Sequence, residues 1–130
     1  MSFTFEQIDE IHNQLGSADS LPEYARALNS IGVVSYDSFV TDGHSDFFGK
    51  DGFRVSSPSY HDSFVVAEQS DNALFQKYMK LAEAGKIGYE EMSKGFAESG
   101  IEKWTMDTEA LTFAYSDKSG QTLLVEDLKK

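Results

Sequence analysis

Cysteine is absent from this sequence of 130 residues, and its absence excludes several kinds of chemistry. Disulfide bonds, thiolate metal sites and thiol nucleophiles all require that side chain. A chain without cysteine suits a reducing compartment, so we expect a cytoplasmic location. Stability must then come from a hydrophobic core, which a chain of this length can form as one domain.

Basic residues are also scarce, since 11 Lys and Arg stand against 22 Asp and Glu and the net charge is −11. Such a surface repels phosphate backbones, so we expect no binding to nucleic acid. Long apolar runs are missing too, and none approaches the length needed to cross a bilayer. The start, MSFTFEQIDEIH, has neither the basic nor the apolar region of a signal peptide. We therefore expect a soluble protein without a membrane partner.

What the sequence does contain is aromatic: ten phenylalanines, six tyrosines and one tryptophan can supply much of a core. Apolar residues recur at steps of three and four in four segments, which predicts amphipathic helices. Six segments rich in β-branched and aromatic residues are predicted strands. The predicted helices are about 4–15, 21–31, 71–85 and 89–100, and the predicted strands are about 33–41, 44–49, 53–55, 101–107, 111–116 and 122–127. Thr4 with Gln7 is typical of a capping box, and Ser20 and Ser70 or Asp71 are predicted helix caps.

The order ααβββ therefore occurs twice, which suggests an internal repeat. An offset of 68 residues places Gly32 on Gly100, Tyr36 on Trp104 and Phe47 on Tyr115 without a gap. We predict a single α+β domain, 1–130, built from two pseudo-repeated ααβββ halves of about 1–62 and 63–130. The helices are expected to pack on a mostly antiparallel sheet.

The segment TDGHSDFFG, residues 41–49, places Asp42, His44 and Asp46 at alternate positions. Asp42-Gly43 is a strong signal for a two-residue hairpin turn. Such a turn would pair Thr41 with His44 and Phe39 with Asp46. Asp42 would then lie in the turn and would not be grouped with His44 and Asp46 on the strand.

The predicted hairpin has two faces, and comparison with the second half indicates which one the helices cover. One face holds Val34, Tyr36, Val40 and Phe47, and the other holds Phe39, His44, Asp46, Phe48, Phe53 and Val55. In the second half the equivalents of the first face are apolar, for example Trp104 and Tyr115, whereas those of the second are mainly polar. The helices are therefore expected on the Tyr36 face.

Phe39, Phe48 and Phe53 are then surplus apolar residues on the face that is predicted to be uncovered. An exposed apolar cluster usually marks an interface or groove, so our leading hypothesis is a non-enzymatic binding or interaction protein. A homodimer through these rings, flanked by His44 and Asp46, is the expected partner arrangement. A small-ligand pocket, or burial under the loop 56–69 as ordinary core, remain as alternatives.

His44, Asp46 and His61 also define a rival hypothesis, a ligand-binding or metal-binding protein or enzyme with a groove near these residues. With Asp42 and Asp62 they could supply metal ligands or an acid–base pair. Their spacing matches no specific metal motif, and no catalytic triad can be ordered from the sequence. We therefore assign no catalytic residue, metal or cofactor, and the small-molecule ligand, if there is one, stays unknown.

The stretches GVVSYDSFVTDGHSDFFGKDGFRV and SGIEKWTMDTEALTFAYSDKSGQTLLVED, with the start SFTFEQIDEIH, resemble a family of small bacterial proteins typified by YbcV. Its members have about this length and are often labelled "phage envelope protein". The family is of unknown function, and its label implies no mechanism. The resemblance supports the predicted fold and length, and it carries over no catalytic residues.

Overall fold

The first and third helices begin at side chains that cap them. The structure is a computed structural model that describes residues 3–15 and 21–128. At the first helix the Gln7 amide donates to Thr4 Oγ1 at 3.2 Å and the Thr4 amide donates to Gln7 Oε1 at 2.9 Å, which confirms the capping box. The predicted third helix is capped by Asp71, whose carboxylate accepts from the Leu74 amide at 3.1 Å. The predicted cap Ser20 lies outside the described residues.

Four helices and six strands follow one another along the described chain. They are α1 (Phe5–Leu15), α2 (Leu21–Ser30), β1 (Ser35–Phe39), β2 (Ser45–Phe48), β3 (Arg54–Ser56), α3 (Asn72–Glu83), α4 (Tyr89–Glu98), β4 (Ile101–Asp107), β5 (Thr112–Asp117) and β6 (Thr122–Asp127). A short 3₁₀ turn, Lys50–Gly52, connects β2 to β3. None of the described helices is long and apolar enough to cross a membrane.

The strands form one antiparallel sheet in the order β3-β2-β1-β4-β5-β6. This arrangement confirms the predicted α+β class. The order ααβββ occurs twice, and β1 and β4, the first strands of the two sets, pair at the centre of the sheet. The residue-by-residue repeat at an offset of 68 positions stays a prediction.

All four helices pack on one face of the sheet, which we call the inner face. α1 packs with α2, and α3 packs with α4. On the inner face, Tyr36 and Trp104 are only 6% and 8% exposed. Tyr24 of α2 meets Tyr36 with ring centroids 6.1 Å apart, and Phe96 of α4 meets Trp104 at 6.2 Å. Each buried ring contributes on the order of 1.5–3 kcal/mol. The prediction that the helices cover the Tyr36 face is confirmed.

The hairpin between β1 and β2 differs from the predicted one. Ser38 lies opposite Ser45, and Val40–Gly43 form a four-residue loop in which the Phe39 amide donates to the His44 carbonyl at 2.9 Å. A two-residue type I′ turn needs positive φ at both central positions, but only Gly43 has it, at 81°. The predicted pairs, such as Phe39 with Asp46, are therefore wrong by two positions. A two-position shift leaves every side chain on its predicted face.

The predicted pairing of β2 with β3 is wrong by one position, and an error of one position does change the face on which the side chains lie. A two-residue Asp51-Gly52 turn would pair Phe48 with Val55, whereas the structure pairs Phe48 with Arg54. A one-residue shift moves every side chain of a strand to the opposite face. Val55 therefore lies beside Phe47 on the inner face. The Phe53 ring packs on the core residue Phe3 with centroids 4.9 Å apart, so the prediction that placed both residues on the uncovered face is wrong.

Candidate functional site

The outer face of the sheet carries four of the five residues predicted from the sequence as a binding surface. Phe39, His44, Asp46 and Phe48 all lie there, and none of them is buried. The Phe39 ring stacks on His44 with centroids 4.6 Å apart, and Lys103 Nζ lies 5.8 Å from the same ring. Phe48 lies opposite Ser35, at the other end of β1 from Phe39, and Asp46 and Asp37 lie between the two rings. The two phenylalanines therefore do not form one continuous apolar patch.

Asp42 is the direct partner of His44, so the prediction that the turn separates them is wrong. Asp42 Oδ1 accepts from the His44 amide at 3.0 Å and lies 2.5 Å from the His44 Nδ1 atom, and Ser59 Oγ donates to Oδ2 at 2.8 Å. Burial raises the pKa of Asp42, but the hydrogen bonds from His44 and Ser59 outweigh it and lower the pKa to about 2. Asp42 is therefore an ionised acceptor at neutral pH, and its chief effect is to fix the loop.

The other members of the predicted groove make different contacts, although the His61 amide donates to the Asp42 carbonyl at 3.2 Å. Asp46 Oδ1 accepts from Ser56 Oγ at 2.7 Å across the β2–β3 pair. His61 stacks on Phe64 with centroids 4.5 Å apart and lies 6.0 Å from the ring of Tyr89 on α4, which belongs to the helix side. Within residues 3–15 and 21–128, no three His, Asp or Glu side chains form a group that could hold a metal ion. The structure does not bring His44, Asp46 and His61 together.

A central cavity of about 520 Å³ lies instead between the inner face and the helices. Helices α1 and α2 form one wall, α4 forms the other, and strands β1, β2, β4 and β5 form the floor. Ten aromatic side chains line it: Phe5, Tyr24, Tyr36, Phe47, Tyr60, Tyr89, Phe96, Trp104, Phe113 and Tyr115. It is therefore a site at which the two helix pairs and the centre of the sheet meet.

The two sides of the central cavity differ in polarity. Toward β4 and β5 the lining is a ring cluster, in which Trp104 lies 6.2 Å from Phe96 and 6.4 Å from Phe113 between ring centroids. Toward α1 the lining includes the carboxylate of Asp9 and the imidazole of His12. A ligand would therefore meet an apolar side and a polar side.

The floor of the cavity has its own polar pair. Ser38 and Ser45 face each other across β1 and β2, and their hydroxyl oxygens lie 2.6 Å apart. Both side chains are buried, and one of the two hydroxyls donates to the other. The Ser45 amide also donates to Ser57 Oγ at 2.8 Å. The serines on the floor bond to each other and not to a base.

The tyrosines of the cavity remain protonated at neutral pH. Burial raises the pKa of Tyr24 well above its usual value, and the nearby Tyr60 and Asp9 raise it further. Burial likewise raises the pKa of Tyr36 and of Tyr115, whose hydroxyl donates to Glu126 Oε1 at 3.1 Å. The phenols are therefore neutral groups that can donate a hydrogen bond.

Reasoning from the sequence placed several of these rings in the core but did not predict a cavity among them. One signal was present, because tyrosine in place of phenylalanine at Tyr24 and Tyr36 is a poor choice for a dry core. A buried tyrosine hydroxyl needs a hydrogen-bond partner, and a cavity with polar atoms or water can provide one.

Comparison with known proteins shows a family but no activity. A family model described as "Protein of unknown function (DUF1398)" matches residues 9–127, so the chain belongs to that family. The matched region runs from Asp9 in α1 to the end of β6 and includes most of the cavity lining. No curated protein matches the chain.

Proposed function

We propose that the protein is a non-enzymatic binding protein that holds a small, largely apolar molecule in the central cavity. One observation carries this proposal, namely a cavity of about 520 Å³ lined by ten aromatic side chains. Pockets for small ligands typically measure about 300–1,000 Å³ and combine apolar walls with a few polar groups. The Ser38–Ser45 pair, Asp9 and His12 are such polar groups.

The openness of the cavity and the fixed position of its rings support the proposal. The space of about 520 Å³ is lined in part by the exposed side chains of Tyr60 and Tyr89, so it is open to solvent and a ligand can enter it. Aromatic rings have only two side-chain torsions, and rings fixed by their neighbours lose little freedom when a ligand binds. Phe96, for example, is 1% exposed and contacts the rings of Phe75, Trp104 and Tyr115. The cavity wall is therefore preorganised for a ligand.

The polar groups of the cavity favour binding over catalysis. A serine nucleophile requires a base within hydrogen-bond distance. Ser38 and Ser45 bond to each other, and Ser57 Oγ donates to the Pro58 carbonyl at 3.0 Å. The hydroxyls are thus engaged with weak acceptors that do not activate them.

The experiment uses the neutral dye N-phenyl-1-naphthylamine, whose emission rises when it enters an apolar site. We expect saturable binding with one site per chain, and energy transfer from Trp104, the only tryptophan in the chain and a cavity residue. Met92→Trp places a large ring in the cavity and should weaken binding by about tenfold or more. Binding to this variant is measured by direct excitation of the dye, because the variant contains a second tryptophan. Lys94→Trp is the matched control, because Lys94 is exposed on the same helix. Absence of saturable binding to the wild type, or equal binding to both variants, would refute the proposal.

Other expectations from the sequence stay predictions beside this one. A homodimer through Phe39 and Phe48, with His44 and Asp46 at its edge, is tested by sedimentation at rising concentration with Phe39→Ser as the variant. Phe53 takes no part in that surface because it packs on Phe3. The finer resemblance to the YbcV-like bacterial family and the cytoplasmic location also stay predictions.

A further inference from the structure

We infer that the ligand of the central cavity is an organic cation, with an aromatic or alkyl body and an amine or quaternary ammonium group. This inference rests on the proposed function, because it requires the cavity to be a binding site. It is carried by the charges that line the cavity, by the arrangement of its rings and by the position of Asp9.

The charges along the lining favour a cation over an anion. Of the described side chains that line the cavity, none is Lys or Arg, and Asp9 is the acidic one. A buried anion needs a positive partner or several directed donors, and without one its desolvation is costly. The chain as a whole carries a net charge of −11, which attracts cations and repels anions as they approach. An anionic ligand is therefore disfavoured on approach, and in the site it would find no Lys or Arg partner among the described lining residues.

The rings supply the second part of a cation site. The face of an aromatic ring carries negative potential, and a cation within about 6 Å of it gains about 0.5–2 kcal/mol. Near Asp9, the rings of Tyr24 and Tyr36 are inclined by 61°. Two rings at a steep angle can present two walls to one cation, as in the aromatic cages that recognise quaternary ammonium groups.

Asp9 indicates where the charged group would lie. It lines the cavity from α1, and its negative charge adds to burial in raising the pKa of both Tyr24 and Tyr60. Asp9 is therefore within electrostatic reach of two rings of the polar side. We place the ammonium group near Asp9, Tyr24 and Tyr60, and the apolar body over Trp104 and Phe113.

The test uses three small molecules of nearly equal shape that differ in charge. Phenyltrimethylammonium is the cation, tert-butylbenzene is its neutral isostere, and benzenesulfonate is an anion of similar size. Each competes with N-phenyl-1-naphthylamine at pH 8, above the range in which imidazole groups usually titrate. We expect the cation to bind about tenfold more tightly than the neutral isostere, and the anion to bind most weakly.

Two matched variants of α1 separate the local effect of Asp9 from that of net charge. Asp9→Asn and Glu10→Gln remove the same formal charge from neighbouring positions, but Glu10 is exposed and lies outside the cavity lining. Asp9→Asn should reduce the preference for the cation over tert-butylbenzene by about fivefold, whereas Glu10→Gln should leave it unchanged. The affinity for tert-butylbenzene itself should change little in either variant.

The outcomes distinguish this inference from the proposed function. If the dye binds but the wild type holds tert-butylbenzene or benzenesulfonate as tightly as the cation, the inference fails and the proposed function stands. Equal effects of Asp9→Asn and Glu10→Gln would also overturn the role given to Asp9. If the dye does not bind at all, both fail. The ratio of cation to neutral affinity in the wild type decides the inference even if Asp9→Asn does not fold.

Discussion

Gly95 of α4 lies against the ring of Tyr78 on α3, and Gly95→Ala tests how tightly this helix pair is packed. A Cβ atom at Gly95 would lie 2.3, 2.4 and 2.5 Å from Cδ1, Cγ and Cε1 of Tyr78. Ordinary contacts of a Cβ begin at 3.4 Å, so about 1 Å of relief is needed. Because Cγ is the root of the ring, moving the tip of the side chain does not provide it. Either α4 must move away from α3 or Tyr78 must leave its position.

The expected size of the effect follows from two opposing contributions. Overpacking in a filled interior costs about 1–3 kcal/mol. Replacing a glycine within a helix by alanine contributes about 1 kcal/mol in the other direction. Because three ring atoms are overlapped at once, we expect the upper part of the range and a net loss of about 1–2 kcal/mol. Tyr89, Met92 and Phe96 line the cavity from the same helix, so the dye should also bind several-fold more weakly.

Urea unfolding followed by circular dichroism measures the change, in the wild type and in a Tyr78→Ala background. Without the ring the overlap disappears, and Gly95→Ala should then stabilise the protein by up to about 1 kcal/mol. Gly88→Ala serves for comparison, since a Cβ there meets nothing within 4 Å and φ is −89°, so any loss reflects only the weaker preference for alanine at the N-cap of α4. A neutral or stabilising effect of Gly95→Ala in the wild type, or the same effect in both backgrounds, would refute the reasoning.

Three further predictions concern titration and the hairpin loop. Asp42→Asn should cost about 1 kcal/mol at pH 7, less than the full shift implies because Asp42 is 25% exposed. The pKa of Asp42 in the folded protein, about 2, lies below its usual 3.8, so this contribution is present above pH 4 and should vanish as the pH falls through 2. Urea titrations at several pH values measure it, and a difference in unfolding free energy between wild type and variant that grows at low pH would contradict it. Burial raises the pKa of Tyr36, so its stabilising contribution should be lost as the pH rises above about 10, and absorbance at 295 nm should show its ionisation only together with unfolding. Gly43→Ala should lower the melting temperature more than Gly52→Ala. The angle φ is positive at both positions, but only a Cβ at Gly43 would meet side chains, namely His61 and the Tyr89 hydroxyl, each at 3.0 Å. Equal losses would argue against those contacts.

The sequence predicted the helices, the strands and the covered face, because those features follow from local periodicity. The six strands and the burial of Tyr36 and Phe47 needed only the alternation of side chains along each strand. The loop of the first hairpin did not follow in the same way. The Thr41 and Asp42 carbonyls accept from the amides of Phe64 and Tyr60 at 2.7 and 2.9 Å. Partners that lie about twenty positions away are invisible to a local turn signal, and they favoured a four-residue loop.

The contact between Asp42 and His44 illustrates the same limit from the chemical side. The Asp42 carboxylate accepts from the amide two residues further on, which is the local bond of an Asx turn. In the observed loop its carboxylate accepts from the His44 amide and from Ser59, whose position is set by the segment that follows β3. The bond from Ser59, 17 positions away, is the part that local turn signals do not reveal. The faces of β1 and β2 survived the error in loop length only because it spanned an even number of positions.

The central cavity could not be predicted from periodicity because its size depends on the distance between two helix pairs. Side-chain alternation assigns Tyr36, Trp104 and Tyr115 to the inner face, but it does not fix how far α1 and α4 stand apart. Each helix pair packs internally, and large rings between helix and sheet, such as Tyr24 against Tyr36, hold the helices away from the strands. Bulky rings on both sides of a central strand pair leave a space that smaller side chains would allow to close. The aromatic residues that predict a large core are therefore also the residues that keep the cavity open.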